Sequence, residues 1–490
     1  MTIDPDGVTA DGGTSADDDR ITAETALIAD ADLRAQRWLK GIGTRPVFPA
    51  EESVDALRAL DSPLSDNGEP AAETIRLLDE VAGAATVASN DPRYFGFVIG
   101  ASLPVAAAAD RIVLAWDQCA SSFDNSPAAH LLEQQAARLV LDALDLPHEA
   151  AVGFSTSATA GTLSALVAAR RTLLRRAGWD IDRDGLDGAP RIRVVVSQLA
   201  HITVLKAIRL LGFGLDRIER VPTDEFGRIV ADRLPALDAR TILILQAGEV
   251  NTGESDPFDR LIPQAHRAGA WVHVDGAFGL WAQASRAHRH LIRGVELADS
   301  WTTDAHKWLN VPYDSAIHIV REAAALSDAL TADAVYSAAT ADAQKNLTLE
   351  FSRRPRGIAV WAALRTLGRD GIEEIIDGTV TLAQRTADGL RAAGFTIVNR
   401  VVLNQVLVRA ATPEITARVR ELAVSSGQTW FGVTRWNDDL AFRISVSSWR
   451  TQEHHIDALV GLLRQLHTQV GASATAAVAP EVRDGPLGAH

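Results

Sequence analysis

Two short stretches hold the residue types that could do covalent chemistry. In WVHVDGAFGLW, residues 271–281, an apolar run from Ala270 to Val274 stops at Asp275 and passes into Gly276-Ala277. A buried parallel strand ends this way at the carboxyl edge of an α/β sheet, where ligands bind. In ADSWTTDAHKWLNVPYDSA, residues 298–316, Lys307 stands beside His306 and in front of Trp308-Leu309. Lysine is scarce: only Lys40, Lys206, Lys307 and Lys345 occur, and arginine carries the remaining positive charge. A lysine kept among apolar neighbours in so arginine-biased a chain points to amine chemistry closed to a guanidinium, such as Schiff-base formation. The alternative is a lysine snorkelling at a helix start.

The elements that must position these residues follow from the apolar pattern. AVGFSTSATAGTLSALVAARRTLLRRAG gives a strand end, Ala151 to Phe154, then a Ser/Thr/Gly turn opening a periodic helix. Backbone N–H groups and hydroxyls at such a helix start make an anion seat or an ordinary Ser/Thr cap. RIRVVVSQLAHITVLKAIRLLG repeats strand, turn and helix with His201 at the turn. A buried strand from Thr241 to Leu245 leads through the polar loop Asn251-Thr252-Gly253 and a helix to the Asp275 strand, and YDSAIHIV adds another strand. Repeated alternation with right-handed crossovers predicts a mostly parallel sheet with helices on both faces. From Gly357 the pattern changes. GIAVWAALRTLGRDGIEEII and TLAQRTADGLRAAG read as two amphipathic helices, FTIVNR, NQVLVRA and LAFRISVSS as half-buried antiparallel strands, and 454–470 as a closing helix. The expected fold class is α/β, with a large domain and a smaller α+β C-terminal domain. No internal repeat or P-loop occurs, and GFGLDR lacks the third glycine of a dinucleotide fingerprint.

HVDGAF followed by ADSWTTDAHKW resembles the pyridoxal-phosphate group II amino-acid decarboxylases, the family of the aromatic-amino-acid, glutamate and histidine decarboxylases. The match extends over most of residues 90–450. The resemblance implies the fold-type I architecture, pyridoxal 5'-phosphate as cofactor, a Schiff base on Lys307, and Asp275 paired with the pyridine nitrogen, where a carboxylate keeps the ring protonated as an electron sink. It places Ser157, Ala158 and Thr159 at the cofactor phosphate, and His201 stacked on the ring and able to contact the substrate carboxylate. Asn251 and Ala277 are to face the cofactor, and His306 is to position the phosphate or Lys307. Asp304 stands where many relatives have asparagine, and an acid beside a phosphate is unfavourable unless it accepts N–H bonds. The substrate pocket of such enzymes draws on the region of Phe97, Val98 and Ile99, and on the region of Cys119 to Phe123 from the other subunit. Decarboxylases of the family carry a tyrosine on a mobile loop shortly before the double arginine, here Arg353-Arg354, and it protonates Cα. At the matching place this chain has Asn346-Leu347-Thr348, with Tyr336 well upstream. Either Tyr336 is the acid or that donor is missing.

The totals set bounds. At 490 residues the chain holds a large core and two or three domains, and a net charge of −15 argues against nucleic acid as the main partner. The single cysteine, Cys119, excludes an intrachain disulfide and a cysteine-based metal cluster, and no metal is expected. No apolar run is long enough to span a membrane, and the acidic N-terminus lacks the pattern of a signal peptide, so a cytoplasmic enzyme is expected. The expected division is a disordered N-terminus (1–20), a helical dimerisation segment (21–90), a large cofactor-binding domain (91–356), a small C-terminal domain (357–470) and a flexible tail (471–490), in a homodimer. The expected function is decarboxylation of an L-amino acid to amine and CO2. The alternatives are a pyridoxal enzyme that diverts the same carbanion to an aldehyde, to transamination or to C–C lysis, and an inactive cofactor-binding homologue.

Overall fold

The computed structural model describes residues 14–332 and 342–478. Its strands are β1 (Tyr94–Phe95), β2 (Ala151–Ser155), β3 (Arg193–Ser197), β4 (Glu219–Val221), β5 (Thr241–Gln246), β6 (Trp271–Asp275), β7 (Ser300–Asp304), β8 (Ala316–Val320), β9 (Thr396–Ile397), β10 (Gln405–Arg409), β11 (Trp430–Trp436) and β12 (Asp439–Ser445). Seven form one sheet in the order β2-β8-β7-β6-β5-β3-β4. β7, β6, β5, β3 and β4 pair in parallel, whereas β8 runs antiparallel to both β7 and β2. The fold is the mixed α/β architecture expected, with a mostly parallel large sheet.

Both faces of that sheet are covered, which is why its strands are apolar at successive positions rather than alternate ones. Leu243, Leu245, Val272 and Val274 join one core with Phe258 and Leu261. Ile242, Ile244 and Trp271 join another with Ala165 and Leu166 of the helix Ala158–Arg176 and with Val204 and Ile208 of the helix Ile202–Leu210. The helix Ala158–Arg176 lies unusually close to the sheet because it presents small residues. A Cβ at Gly161 would come within 2.8 Å of the Thr302 methyl. That close approach sets the start of the helix at the ends of β2 and β7.

The smaller sheet has the order β1-β11-β12-β10-β9. Its core includes Val406, Val408, Phe431, Phe442 and Ile444. Tyr94–Phe95 pairs in parallel with β11, so the chain visits the C-terminal sheet before it enters the large one.

Several expectations change. A helix runs from Thr14 to Lys40, into the stretch expected to be disordered; residues 1–13 lie outside the described residues. The physical reason is the acidic first turn at Asp17 and the basic last turn at Arg37 and Lys40, which complement the helix dipole. The two helices read after Gly357 divide at Gly368, whose φ of 59° and ψ of −172° no helical residue adopts, rather than between the two stretches as read, and the second continues to Ala392. The closing helix spans Glu453–Val478, past the expected start of the tail at 471, because an alanine-rich sequence continues it. Residues 479–490 lie outside the described residues.

Candidate active site

The parallel strands deliver their chemistry at one edge. β6 ends in Asp275, β7 ends in Asp304, and Lys307 follows in the turn after β7. β2 passes into Ser157, which caps the helix Ala158–Arg176 by accepting the Ala160 N–H at 3.4 Å. β3 passes into His201, which caps the helix Ile202–Leu210, and Thr203 donates its backbone N–H to Nδ1 at 3.4 Å, with its hydroxyl 2.7 Å from the same nitrogen. The imidazole plane is therefore held from one side.

Asp275 is buried, and its Oδ1 accepts the Ala277 N–H at 3.2 Å. Burial pushes its carboxyl above the usual carboxylate range, while His201 and Lys307 draw it back. Burial pushes the His201 imidazole down, which favours the neutral ring; Asp275 opposes that and Lys307 and Arg443 reinforce it. Asp275, His201, Lys307 and Asp304 thus feel one another's charge. Lys307 Nζ lies 2.9 Å from Asp304 Oδ2. His306 is also kept neutral by burial; Ser315 donates its N–H to Nδ1 at 3.1 Å, and the Tyr313 ring stacks on it at 4.1 Å.

The residues fit the cofactor that this arrangement implies. In the sheet register Gln246 stands beside Asp275, so both side chains leave the same face. Gln246 Nε2 is sealed from solvent with no hydrogen-bond partner among the described residues. A buried amide donor without an acceptor is costly, and a polar ligand against the Asp275 edge would relieve it. A buried carboxylate held up by desolvation is likewise relieved by a protonated ring nitrogen.

The remaining predicted residues are placed as follows. Thr159 lies in the first turn of the helix Ala158–Arg176, directly after Ala158, whose N–H goes to Asp304. The Asn251 side chain is committed elsewhere: its Nδ2 donates to Glu249 at 3.2 Å and its Oδ1 accepts the Thr434 hydroxyl at 3.0 Å, tying the loop to β11. Phe97 and Val98 both have positive φ, 55° and 66°; Val98 is buried, and the exposed Phe97 ring packs on Trp430 at 5.0 Å. Gly100 closes this segment against the lysine turn, where the Lys307 carbonyl leaves no room for a Cβ. Phe123 is exposed and meets His130 edge-on at 5.7 Å. Thr348 is buried, donating to the Gln344 and Glu350 carbonyls. Tyr336 lies outside the described residues.

Sequence reasoning missed four residues besides Gln246. Tyr94, which stacks on Trp430 at 5.2 Å, and Tyr313 extend an aromatic wall from Phe97 towards His306. Arg443, on β12, is half-buried, donates to the Val250 carbonyl at 2.8 Å and leaves a buried Nε unpartnered among the described residues. The signal for it was a lone arginine inside the apolar run LAFRIS.

A lysine, a buried acid, a neutral imidazole and a helix start, gathered at the carboxyl edge of a mostly parallel seven-stranded sheet, define a pyridoxal-phosphate-dependent enzyme. The particular family follows from comparison with known proteins: residues 55–411, well over half the chain, match the pyridoxal-dependent decarboxylase conserved domain, and the chain belongs to that family. It is 27% identical over 477 residues to tryptophan decarboxylase 1 of Oryza sativa subsp. japonica, covering 88% of this chain and 91% of that protein. It is 27% identical over 392 residues to L-2,4-diaminobutyrate decarboxylase of Rhizobium meliloti (strain 1021), covering 74% and 76%. The crystal structure of Oryza sativa TDC with PLP and tryptamine superposes with a TM-score of 0.83 at 26% identity, over 94% of this chain and 99% of that one. The protein is a pyridoxal-phosphate-dependent carboxy-lyase acting in amino-acid chemistry. No helix among the described residues is long and apolar enough to cross a membrane.

Proposed function

We propose that this protein decarboxylates an L-amino acid to its amine, with Lys307 as the amine that forms the Schiff base and Asp275 as the acid at the ring nitrogen. The observation that carries the reading is the shared edge of β6 and β7, which brings Asp275, Asp304 and Lys307 within one another's field beside His201. Pyridoxal phosphate, when bound, supplies an aldehyde for the substrate amine and a protonated ring that accepts the electrons of the breaking Cα–carboxylate bond.

The chain's own residues supply the rest. Asp275 holds a proton at the ring nitrogen through a charge-assisted hydrogen bond in a desolvated place. His201, neutral and braced by Thr203, covers the ring face and leaves its other nitrogen for the substrate carboxylate. The first turn of the helix Ala158–Arg176, with Ser157 and Thr159, holds the phosphate through N–H and hydroxyl groups aligned with the helix dipole. The wall of Phe97, Tyr94 and Tyr313 receives the substrate side chain and excludes water.

A homodimer is part of this proposal. The helix Thr14–Lys40 and the helix Pro104–Trp116 are joined by an ion pair of Arg111 and Asp32 at 2.9 Å, and together leave Ile21, Leu33, Ile112, Leu114 and Trp116 exposed. An apolar surface of this kind on linked helices suits a second copy related by a two-fold axis. Sedimentation at micromolar concentration is expected to give twice the monomer mass.

The test of function is a screen of the twenty amino acids for CO2 release, with product analysis in air and under nitrogen. The reading expects amine stoichiometric with CO2 from at least one of them. A carbonyl product formed only in air would assign oxidative aldehyde formation instead.

A further inference from the structure

Asp304 makes contacts that explain an acid at this position. It is the last residue of β7, 3% exposed, and its backbone is fixed by an N–H bond to the Ala277 carbonyl at 2.8 Å. Its Oδ1 accepts the N–H of Ala158, the first residue of the helix Ala158–Arg176, at 2.7 Å. Its Oδ2 lies 2.9 Å from Lys307 Nζ, and His306 Nε2 is 3.6 Å from Oδ1. One carboxylate therefore occupies a donor at the helix start and fixes the amine of the reactive lysine. Both partners are donors: one N–H stands at the start of a helix, where the dipole suits an acceptor oxygen, and the other is the lysine amine.

The consequence concerns the phosphate. The donors that suit a phosphate lie in the same first turn that Asp304 already caps. An anion arriving there meets a carboxylate already in place, and like charges a few ångströms apart in a water-poor site oppose each other. The benefit is a lysine held in one position by an ion pair, where a flexible four-carbon chain would otherwise sample many.

We propose that Asp304 is a positioning residue that anchors Lys307 against the start of the helix Ala158–Arg176, and that it does so at the expense of affinity for the cofactor's phosphate. The proposal rests on Lys307 being the cofactor amine. Asp304→Asn isolates the charge, because its side-chain oxygen still accepts the Ala158 N–H. Asp304→Glu keeps the charge.

The experiment measures equilibrium dissociation constants of wild type and both variants for pyridoxal 5'-phosphate and for pyridoxal without the phosphate, by absorbance titration of cofactor-stripped protein. The ratio of the two constants cancels any general damage to the site. In Asp304→Asn the preference for the phosphorylated compound is expected to rise about tenfold, and the limiting rate of pyridoxal capture by Lys307, trapped with borohydride at high pH where the amine has already lost its proton, to slow severalfold. Asp304→Glu should keep the wild-type preference even if both affinities fall. An unchanged ratio in Asp304→Asn, or a fall in it, would overturn the proposal and leave Asp304 a helix cap. Failure of wild type to be trapped at Lys307 would instead overturn the underlying reading of the site.

Discussion

The face of the large sheet beneath the helix Ala158–Arg176, with the turn after β7, carries two sets of largely buried polar residues that differ in what they leave unpaired. Deep in the sheet, Ser155 lies 2.6 Å from His318 Nδ1, His318 Nε2 donates to the Leu347 carbonyl at 2.8 Å, and Thr162 reaches Thr302 at 3.3 Å. Thr302 lies 3.2 Å from His273 Nε2, and His273 Nδ1 shares the Ser300 hydroxyl, 2.9 Å away, with Trp271. Burial drives His273 down to about 3 and His318 to about 4, so both are neutral. No ionised side chain takes part in that row. At the strand ends just above it, burial pushes the Asp275 carboxyl above the usual carboxylate range while His201 and Lys307 draw it back, Lys307 Nζ lies 2.9 Å from Asp304, and Gln246 keeps a donor with no acceptor among the described residues. Burial and a shifted histidine are thus common to structure and function. A buried acid and a lysine–carboxylate pair beside an unsatisfied donor are what separate the proposed ligand-binding edge from the sealed row.

The sharpest way to break this contrast is Asp275→Asn. The variant is expected to keep its cofactor but lose turnover by on the order of 10³-fold, since about 4 kcal/mol of barrier corresponds to that factor and a charge-assisted hydrogen bond in a dry site is among the strong ones. Steady-state turnover beside the cofactor absorbance checks it, and near-normal turnover would remove the acid from the chemistry.

The two kinds of histidine should then part company. His201→Ala is expected to weaken cofactor retention and turnover together, each roughly tenfold, for a ring stack contributing about 0.5–1.5 kcal/mol beyond its buried area. His318→Ala should leave turnover nearly intact and lower stability by about 1–3 kcal/mol, the cost of stranding its buried partners. Denaturant unfolding and kinetics on the same two variants decide the matter.

A pH series sharpens the same point. Folded His318 is held neutral, whereas the unfolded side chain takes a proton below about 6.5. Its stabilisation is therefore complete above that pH and is lost as pH falls towards about 4. In that window wild type should lose about 1.4 kcal/mol per unit more steeply than His318→Ala. Equal slopes would mean that His318 titrates normally. The smallest effect is expected at Thr159→Val, a rise in the cofactor dissociation constant of about tenfold or less, as for one hydrogen bond of about 0.5–1.5 kcal/mol net. An unchanged constant would place the phosphate elsewhere.

Most of the edge was legible because its residues fall at fixed points of strand–turn–helix units. Asp275 ends an apolar run, His201 and Ser157 precede periodic helices, and Lys307 is one of only four lysines. Residues recruited from distant parts of the chain were not legible. Arg443 and Trp430 reach the site only because β12 and β11 pair beside β1, and Gln246 gains meaning only from its register with Asp275. Asp304 could be located but not interpreted, because its partners Ala158 and Lys307 meet through the packing of a helix on β7. Asn251 shows the opposite limit: it lies in a turn between β5 and the next helix, where the pattern put a loop, yet Glu249 and Thr434 hold the amide expected to face the cofactor.

The central claim is that Lys307 is the amine that holds the cofactor. Borohydride reduction of the holoprotein followed by peptide mass mapping tests it most directly, because only four lysines compete for the label. A single pyridoxyl group on the peptide containing Lys307 is predicted. A label on Lys40, Lys206 or Lys345, or no label on a protein that retains its cofactor, would contradict the account.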